Sequence, residues 1–589
     1  MAANIGEGEK QMRISRVRIE NYRNLRHVDV ELGNIVALIG ENNSGKSNFL
    51  RALSIPLSSG DTSVSKRLSW FDINKEVKKQ YYDFLKANRT SIIDGSLTVD
   101  AFLPQIPAVT IQMDIMPEAT EHYDVKDILV DEDNWLGGIL YQFFIKKPVE
   151  LLNRVRSILI SEAEDDNVQM SLLPMELYDY SITVPGKGNR IPYDILSRYR
   201  TVELPAERDN FASNADRLGS KALSDLLQKG LTSDSQVKIE KAYREFFDTV
   251  RTEGKLDTVL NWQQYSDIQN AQDFFKQISI LPNMPQMSSI LGSIRLGYEE
   301  ESMFAQGLGH RNLILLTVLL NSYLNKEHDI SFRLMTIEEP EAHLCISNVL
   351  LMTRLINIFS QKNKYTQIVY STHNVEFVNK IGLEKVIVLH NGEAFSLKTE
   401  LTDTERNYLV ANPNTDIFKL LYSKRAIIME GITEELLIKS YLQIRTDLND
   451  IKVLTFHKGF TKIIDIWNKV NARSGNKLGV VRDYDDEPKA KRDHEKRQSD
   501  YVIVRTTKGY TLETDITNYN YDLLKSKYGE IYGWSNMTAD QLQNDWRKKK
   551  SDVMLRICHD LINGELDGFT MPPHIQQIID FMQGDTHES

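Results

Sequence analysis

Cysteine is almost missing: 589 residues carry two, Cys345 and Cys558, far apart in the chain. That excludes a disulfide framework and a cysteine-rich zinc site, and it fits a reducing cytosol. No apolar run reaches the roughly 18 residues of a membrane span. The opening MAANIGEGEKQMR has no apolar stretch and is not a signal peptide. Residues 1–11 read as a disordered extension ahead of a second methionine, Met12. Internal repeats and low-complexity tracts are also missing. Surplus charge of one sign is modest, at a formal −11, so nucleic acid could be held only through local basic patches. What remains, 41% hydrophobic and 26% charged, is ordinary globular composition. The length allows roughly three to five domain-sized units.

The first informative stretch is GENNSGKSNFL at 40–50. RISRVRIENY (13–22) and HVDVEL (27–32) alternate as strands do, and NIVALIG (34–40) is a continuous apolar run that feeds the glycine loop. SNFLRALSI (47–55) follows as a helix. Strand, loop and helix are the context in which G-x-x-x-x-G-K-[ST] cradles phosphates. Gly40, Asn43, Gly45, Lys46, Ser47 and Asn48 are the expected nucleotide contacts; Lys46 would reach the β- and γ-phosphates and Ser47 would hold Mg²⁺.

Three further pieces follow. FRLMTI is a strand that ends in paired acids, with Glu338 placed for the Mg²⁺ shell and Glu339 for polarising the attacking water. QIVYSTHNVEF (367–377) is an apolar strand ending in Ser-Thr-His, where His373 could sense the γ-phosphate. A lone histidine is more often structural; its place at a strand's C-terminal end favours function. AQGLGHRNLILLTVLLNSYL (305–324) sets Gly307 and Gly309 before a long apolar helix, a phosphate site or only a turn.

Together these pieces resemble the ABC-type ATPase heads of the SMC and RecF group. GENNSGKS stands as Walker A, QGLGHRN as the signature, TIEEPEAH as Walker B with the following loop, and STH as the switch. The resemblance implies ATP as cofactor, sandwiched between two heads, and hence a dimer at least. The signature lacks the usual serine and is similar to that of the OLD-type subgroup, as is TVELPAERDN (201–210). The stretch 208–285 reads as an inserted helical module for subunit contact, too short for long coiled-coil arms. The aromatic and basic run RLSWFDINKEVKKQYYDFLKANR reads as an amphipathic helix before a nucleic-acid contact.

After about residue 421 the pattern restarts as alternating strands and helices, which argues for a small, mainly parallel sheet. Acids fall where strands are expected to end: Glu430, then Asp483 and Asp485, then Glu513 and Asp515. Converging carboxylates repel unless a cation neutralises them, and hard oxygen ligands select Mg²⁺ or Mn²⁺. Any one such acid would ordinarily face solvent. The set Glu-Gly…Asp-x-Asp resembles the TOPRIM fold, with Glu513 and Asp515 similar to the extra acidic pair of OLD nucleases. That family also uses a late lysine, for which DWRKKKSDVMLRI offers Lys548, Lys549 and Lys550, the last two as catalytic candidates; a basic patch that merely holds phosphates is as good a reading. KAKRDHEKR (489–497) reads as a solvated mixed-charge loop.

The expected architecture is therefore α/β: an ATPase head over 12–207 and 286–420, the helical insertion, and a C-terminal TOPRIM domain over 421–589. This order resembles the OLD (overcoming lysogenization defect) nucleases. The resemblance implies a bacterial cytoplasmic protein that cuts DNA under nucleotide control, in phage defence or DNA repair. It implies a homodimer or homotetramer, acting alone, beside a helicase-like protein, or with a retron reverse transcriptase and its msDNA. Two alternatives stay open: a RecF-like DNA clamp without cleavage, and a nuclease acting on RNA or tRNA.

Overall fold

The computed structural model describes residues 12–59, 66–161, 169–206, 218–255, 287–292, 294, 296–298, 301–302, 306–324, 329–363, 365–412, 414, 416–456, 460–471, 474–484 and 488–584. The expected extension 1–11, much of the 208–285 insertion, and Asp485 lie outside them. Two compact units emerge. One comprises Met1–Leu204, Asp329–Glu341 and Thr366–Ser589; the other comprises Pro205–His328 and Ala342–Tyr365.

The first unit holds three sheets. Strands Leu25–Glu31, Arg13–Tyr22, Val109–Met116, Leu136–Ile145 and Leu129–Asp131 pair in that order and antiparallel, and Tyr178–Thr183 also pairs antiparallel with Leu136–Ile145. A seven-stranded sheet runs Glu393–Ser396, Val386–His390, Ile35–Ile39, Thr366–Ser371, Phe332–Glu338, Tyr199–Leu204, Ser58–Ser59. Only its Glu393–Ser396 pairing is antiparallel. Every residue of Ile35–Ile39 is buried, as a strand covered on both faces requires. Val17, Ile19 and Ile111 of the first sheet share one core with Leu38, Phe332, Leu334 and Val369 of the second. Helix Lys75–Ala87 buries Lys78, Tyr81, Tyr82 and Leu85, the i, i+3, i+4, i+7 stripe of an amphipathic helix.

The third sheet is four-stranded and wholly parallel, in the order Lys452–Thr455, Arg425–Met429, Lys477–Arg482, Val502–Thr506. Its core gathers Ile427, Met429 and Val481 with Leu512, Ile516, Trp546, Ile557 and Ile578 from the helices that follow and Trp534 from a turn between two of them. Here the sequence expectation needs correcting. Strand material ends at Thr506, and Glu513 and Asp515 lie in the first turn of helix Leu512–Tyr532. The turn between them, with Gly509 and Thr511, breaks the alternation that suggested a longer strand.

The second unit is mainly helical: Leu218–Gly230, Ser233–Glu253, Met287–Gly292, Leu308–Ser322 and Ile346–Lys362, with one short strand pair. It runs wider than 208–285, because the helix after the signature packs on Leu218–Gly230 and Ile346–Lys362. Helix Ser233–Glu253 buries none of its side chains and leaves Phe246 and Val250, one turn apart, exposed. Among the described residues no helix is long and apolar enough to cross a membrane.

Candidate functional site

The glycine loop opens helix Lys46–Ser54. Gly45 caps it with φ +109°, a conformation that L side chains rarely adopt, and an added Cβ would lie 2.9 Å from Leu25 and 3.0 Å from Asn24. The Lys46 ammonium is buried and donates to Gly40 O at 2.9 Å and Glu41 O at 2.8 Å. Burial pushes its pKa down to about 8, against Glu339, Glu41 and Glu341, which raise it. Ser47 is exposed in the first helical turn. The Asn48 side chain is held from behind: Arg23 Nη1 donates to its Oδ1 at 2.9 Å, and its Nδ2 donates to Asn24 Oδ1 at 2.8 Å. Asn24 in turn donates to Asn43 O at 2.9 Å, so the hairpin turn after Tyr22 fixes the loop's back wall.

Strand Phe332–Glu338 brings Glu338 level with Ser371 of the switch strand, which itself lies beside the loop's strand. Glu339 takes φ +41°, uncommon for a residue with a side chain, and its N–H donates to Ser371 O at 3.1 Å. Its Oε1 lies 3.4 Å from His373 Nε2. Burial and then Lys46 lower the His373 pKa, with Glu339 opposing, so the imidazole is neutral at pH 7. Glu341, which the sequence reading left without a role, accepts from Thr372 Oγ1 at 2.5 Å and from the His373 N–H at 3.0 Å. Gly307 and Gly309 belong to the second unit: Gly307 caps helix Leu308–Ser322, and at Gly309 a Cβ would stand 2.4 Å from His343 O.

On the parallel C-terminal sheet, Met429 pairs with Val481, so Glu430 and Asp483 leave neighbouring strands at one edge. Asp483 Oδ1 accepts the Leu512 N–H at 3.1 Å. Glu513, wholly buried, has Lys550 Nζ 3.2 Å from Oε1, yet neither of its oxygens has an aligned hydrogen bond among the described residues. Burial opposes the Lys550 charge, but Glu513, Glu434 and Asp483 outweigh it and raise its pKa. Glu434 was missed by the sequence reading. It is buried on helix Ile432–Gln443, and burial raises its pKa, with Lys550 opposing and Glu513 reinforcing. Two acids opening a helix look like ordinary partners of its dipole, so nothing in the sequence set Glu434 apart.

The other expected residues point elsewhere. Lys549 pairs with Asp545 at 2.9 Å, and Lys548 ends the preceding helix. Asp515 accepts the N–H groups of Lys508 (2.8 Å) and Gly509 (2.7 Å) and faces His574 at 3.3 Å. Burial works against its charge, but these partners win and lower its pKa. Among the described residues no group of three or more His, Cys, Asp or Glu is arranged to hold a metal ion.

A glycine loop, paired carboxylates and a histidine at adjacent strand ends are the parts of a P-loop ATPase site. The AAA ATPase domain family matches residues 12–102 and 194–378. Endonuclease GajA of Bacillus cereus strain HuB5-5 is 22% identical, over 94% of this chain and 88% of that protein. Its counterpart from strain VD045 is 20% identical over 73% and 68%, and the OLD nuclease of Thermus scotoductus is 23% identical over 71% of each. Solved structures of an SMC head bound to the winged-helix domain of ScpA (14% identical, TM-score 0.30, 66% of this chain and 99% of that one) and of RecF (12%, 0.30, 66% and 99%) also match. Over most of its length the chain is thus similar to GajA endonucleases and an OLD nuclease, and the match to the AAA ATPase domain lies within its first two thirds.

Proposed function

We propose that this protein is a DNA endonuclease that depends on a divalent cation, is gated by ATP, and serves in anti-phage defence. The head would span 12–207 and 286–420, and a TOPRIM-type nuclease domain would begin near 421. The observation that carries the reading is Glu513. This carboxylate has no exposed surface and, among the described residues, no aligned hydrogen bond; it lies with Asp483 and Glu434 against the Lys550 ammonium, and a divalent cation would offset the negative charge that remains. Oxygen-only donors suit Mg²⁺ or Mn²⁺, and Glu430, Asp483, Asp485 and Glu513 are the side chains that would hold it, with Asp515 fixing the turn that leads into Glu513. The cation would supply Lewis acidity toward a phosphodiester and an activated water. Lys550 would set its ammonium against the phosphate oxygens as negative charge builds on them.

In the head, Lys46, which here donates to its own loop carbonyls, would hold the phosphates of ATP, and the exposed Ser47 hydroxyl would hold the accompanying Mg²⁺. Glu339 would orient the attacking water and His373 would read the γ-phosphate. Gly307 and Gly309 would close over the nucleotide of a second copy. The exposed Phe246 and Val250 support a homodimer or homotetramer. A helicase-like protein or a retron reverse transcriptase with its msDNA would be the further partner.

The test is incubation of the purified protein with supercoiled plasmid and Mg²⁺ or Mn²⁺, with and without ATP, beside Glu430→Ala. Nicked or linear DNA from the wild type alone is expected. DNA retained but uncut would favour a clamp, and cleavage of RNA alone would change the substrate.

A further inference from the structure

We propose that Glu341 is a positioning residue for ATP hydrolysis: its carboxylate locks the switch loop so that His373 stays in register with Glu339. The inference rests on Glu339 and His373 as the hydrolysis centre. The two loops meet through few bonds. Glu339 N–H reaches Ser371 O on one side. On the other, Glu341 Oε1 alone collects the Thr372 hydroxyl and the His373 N–H. Thr372 is itself pinned, since its N–H donates to Leu38 O at 3.0 Å, two residues before the glycine loop, and its Oγ1 accepts the Asn374 N–H at 3.0 Å. Glu341 therefore ties the Walker B loop, the switch loop and the strand of the glycine loop into one frame.

Neither a nucleotide contact nor a general base fits as well. Oε1 is already committed to two donors, and Oε2 is buried with no hydrogen bond among the described residues. Burial, reinforced by Glu339, raises the carboxyl's pKa, so its value at this place lies in accepting hydrogen bonds more than in carrying charge. A glutamine would offer the same carbonyl oxygen to both donors. Alanine would leave the His373 N–H without an acceptor and free the loop to drift, and misplacement by about 1 Å can cost ~100-fold in rate.

The experiment is steady-state ATP hydrolysis by the full chain carrying Glu341→Ala, Glu341→Gln or Thr372→Val. Glu341→Ala is expected to lower kcat roughly 10- to 100-fold with KM nearly unchanged, while Glu341→Gln stays near wild type. Thr372→Val removes one of the two donors without touching Glu341, and it is expected to lower kcat alone, which keeps the test open if Glu341→Ala does not fold. A glutamine variant as slow as alanine would overturn the proposal by placing the carboxylate's charge in the chemistry. A raised KM at constant kcat would overturn it in favour of a nucleotide contact. Wild-type rates throughout would remove any role. If Glu339→Gln hydrolysed ATP normally, the hydrolysis centre itself would fall, a result distinct from the others.

Discussion

Lys550 Nζ stands 3.2 Å from Glu513 Oε1, and Glu513 exposes no side-chain surface. Helix Lys550–Ile562 begins at that lysine, after a break at Lys549, so only the last of three consecutive lysines turns toward the acids. Lys550→Ala should therefore lower plasmid cleavage by about 100-fold or more, while Lys549→Ala, which loses only its pair with Asp545, should cleave nearly as wild type. Agarose-gel time courses with both variants check this. Lys550→Ala should also lose stability on the order of 1 kcal/mol, since the lysine is partly solvated and its field screened.

Lys46→Ala should abolish ATP hydrolysis and make cleavage indifferent to ATP. Wild-type cleavage should change across an ATP titration, and the variant's should not. A variant that still responded to ATP as the wild type does would sink the gating reading.

The lowered His373 pKa sets a pH signature. Protonation requires a pH below the ordinary 6.5, so kcat for ATP should hold level from pH 7 down to about 6.5 and fall only below it. His373→Gln should be slower by roughly 10²–10⁴-fold and should lack that acid limb. A pH–rate profile at saturating ATP measures both.

Asp515 fastens the turn that leads into Glu513. Asp515→Ala leaves the N–H groups of Lys508 and Gly509 without their acceptor, and about 1–3 kcal/mol of stability should go with them. The urea unfolding midpoint gives the value, and cleavage should fall as the turn loosens.

Much of this was legible because the signals are local. An apolar pentapeptide before a glycine loop can be read as a buried strand, and acids at strand ends mark a sheet edge whatever lies between them. The sequence places Glu430, Asp483, Glu339 and His373 just past strand ends in that way, and the strands do end there. What escaped depends on contacts distant in sequence. Glu434 and Glu341 look like spare acids until Lys550, Thr372 and the His373 N–H arrive beside them. The choice among Lys548, Lys549 and Lys550 depends on one helix break that the run of identical residues conceals. Glu513 and Asp515 were assigned to a strand because Thr and Tyr around Gly509 extend a β-like composition through what is a turn and a helix start.

Gln367 binds the backbone of Ile14 from 353 residues away, and the strand it introduces lies against the one that carries the glycine loop. On a ribosome adding about 5–20 residues per second, Ile35–Ile39 waits roughly 20–70 s for that neighbour to be made. Through that interval an all-apolar strand has an unfilled edge, and nascent chains stalled before Thr366 should depend on chaperones for their solubility.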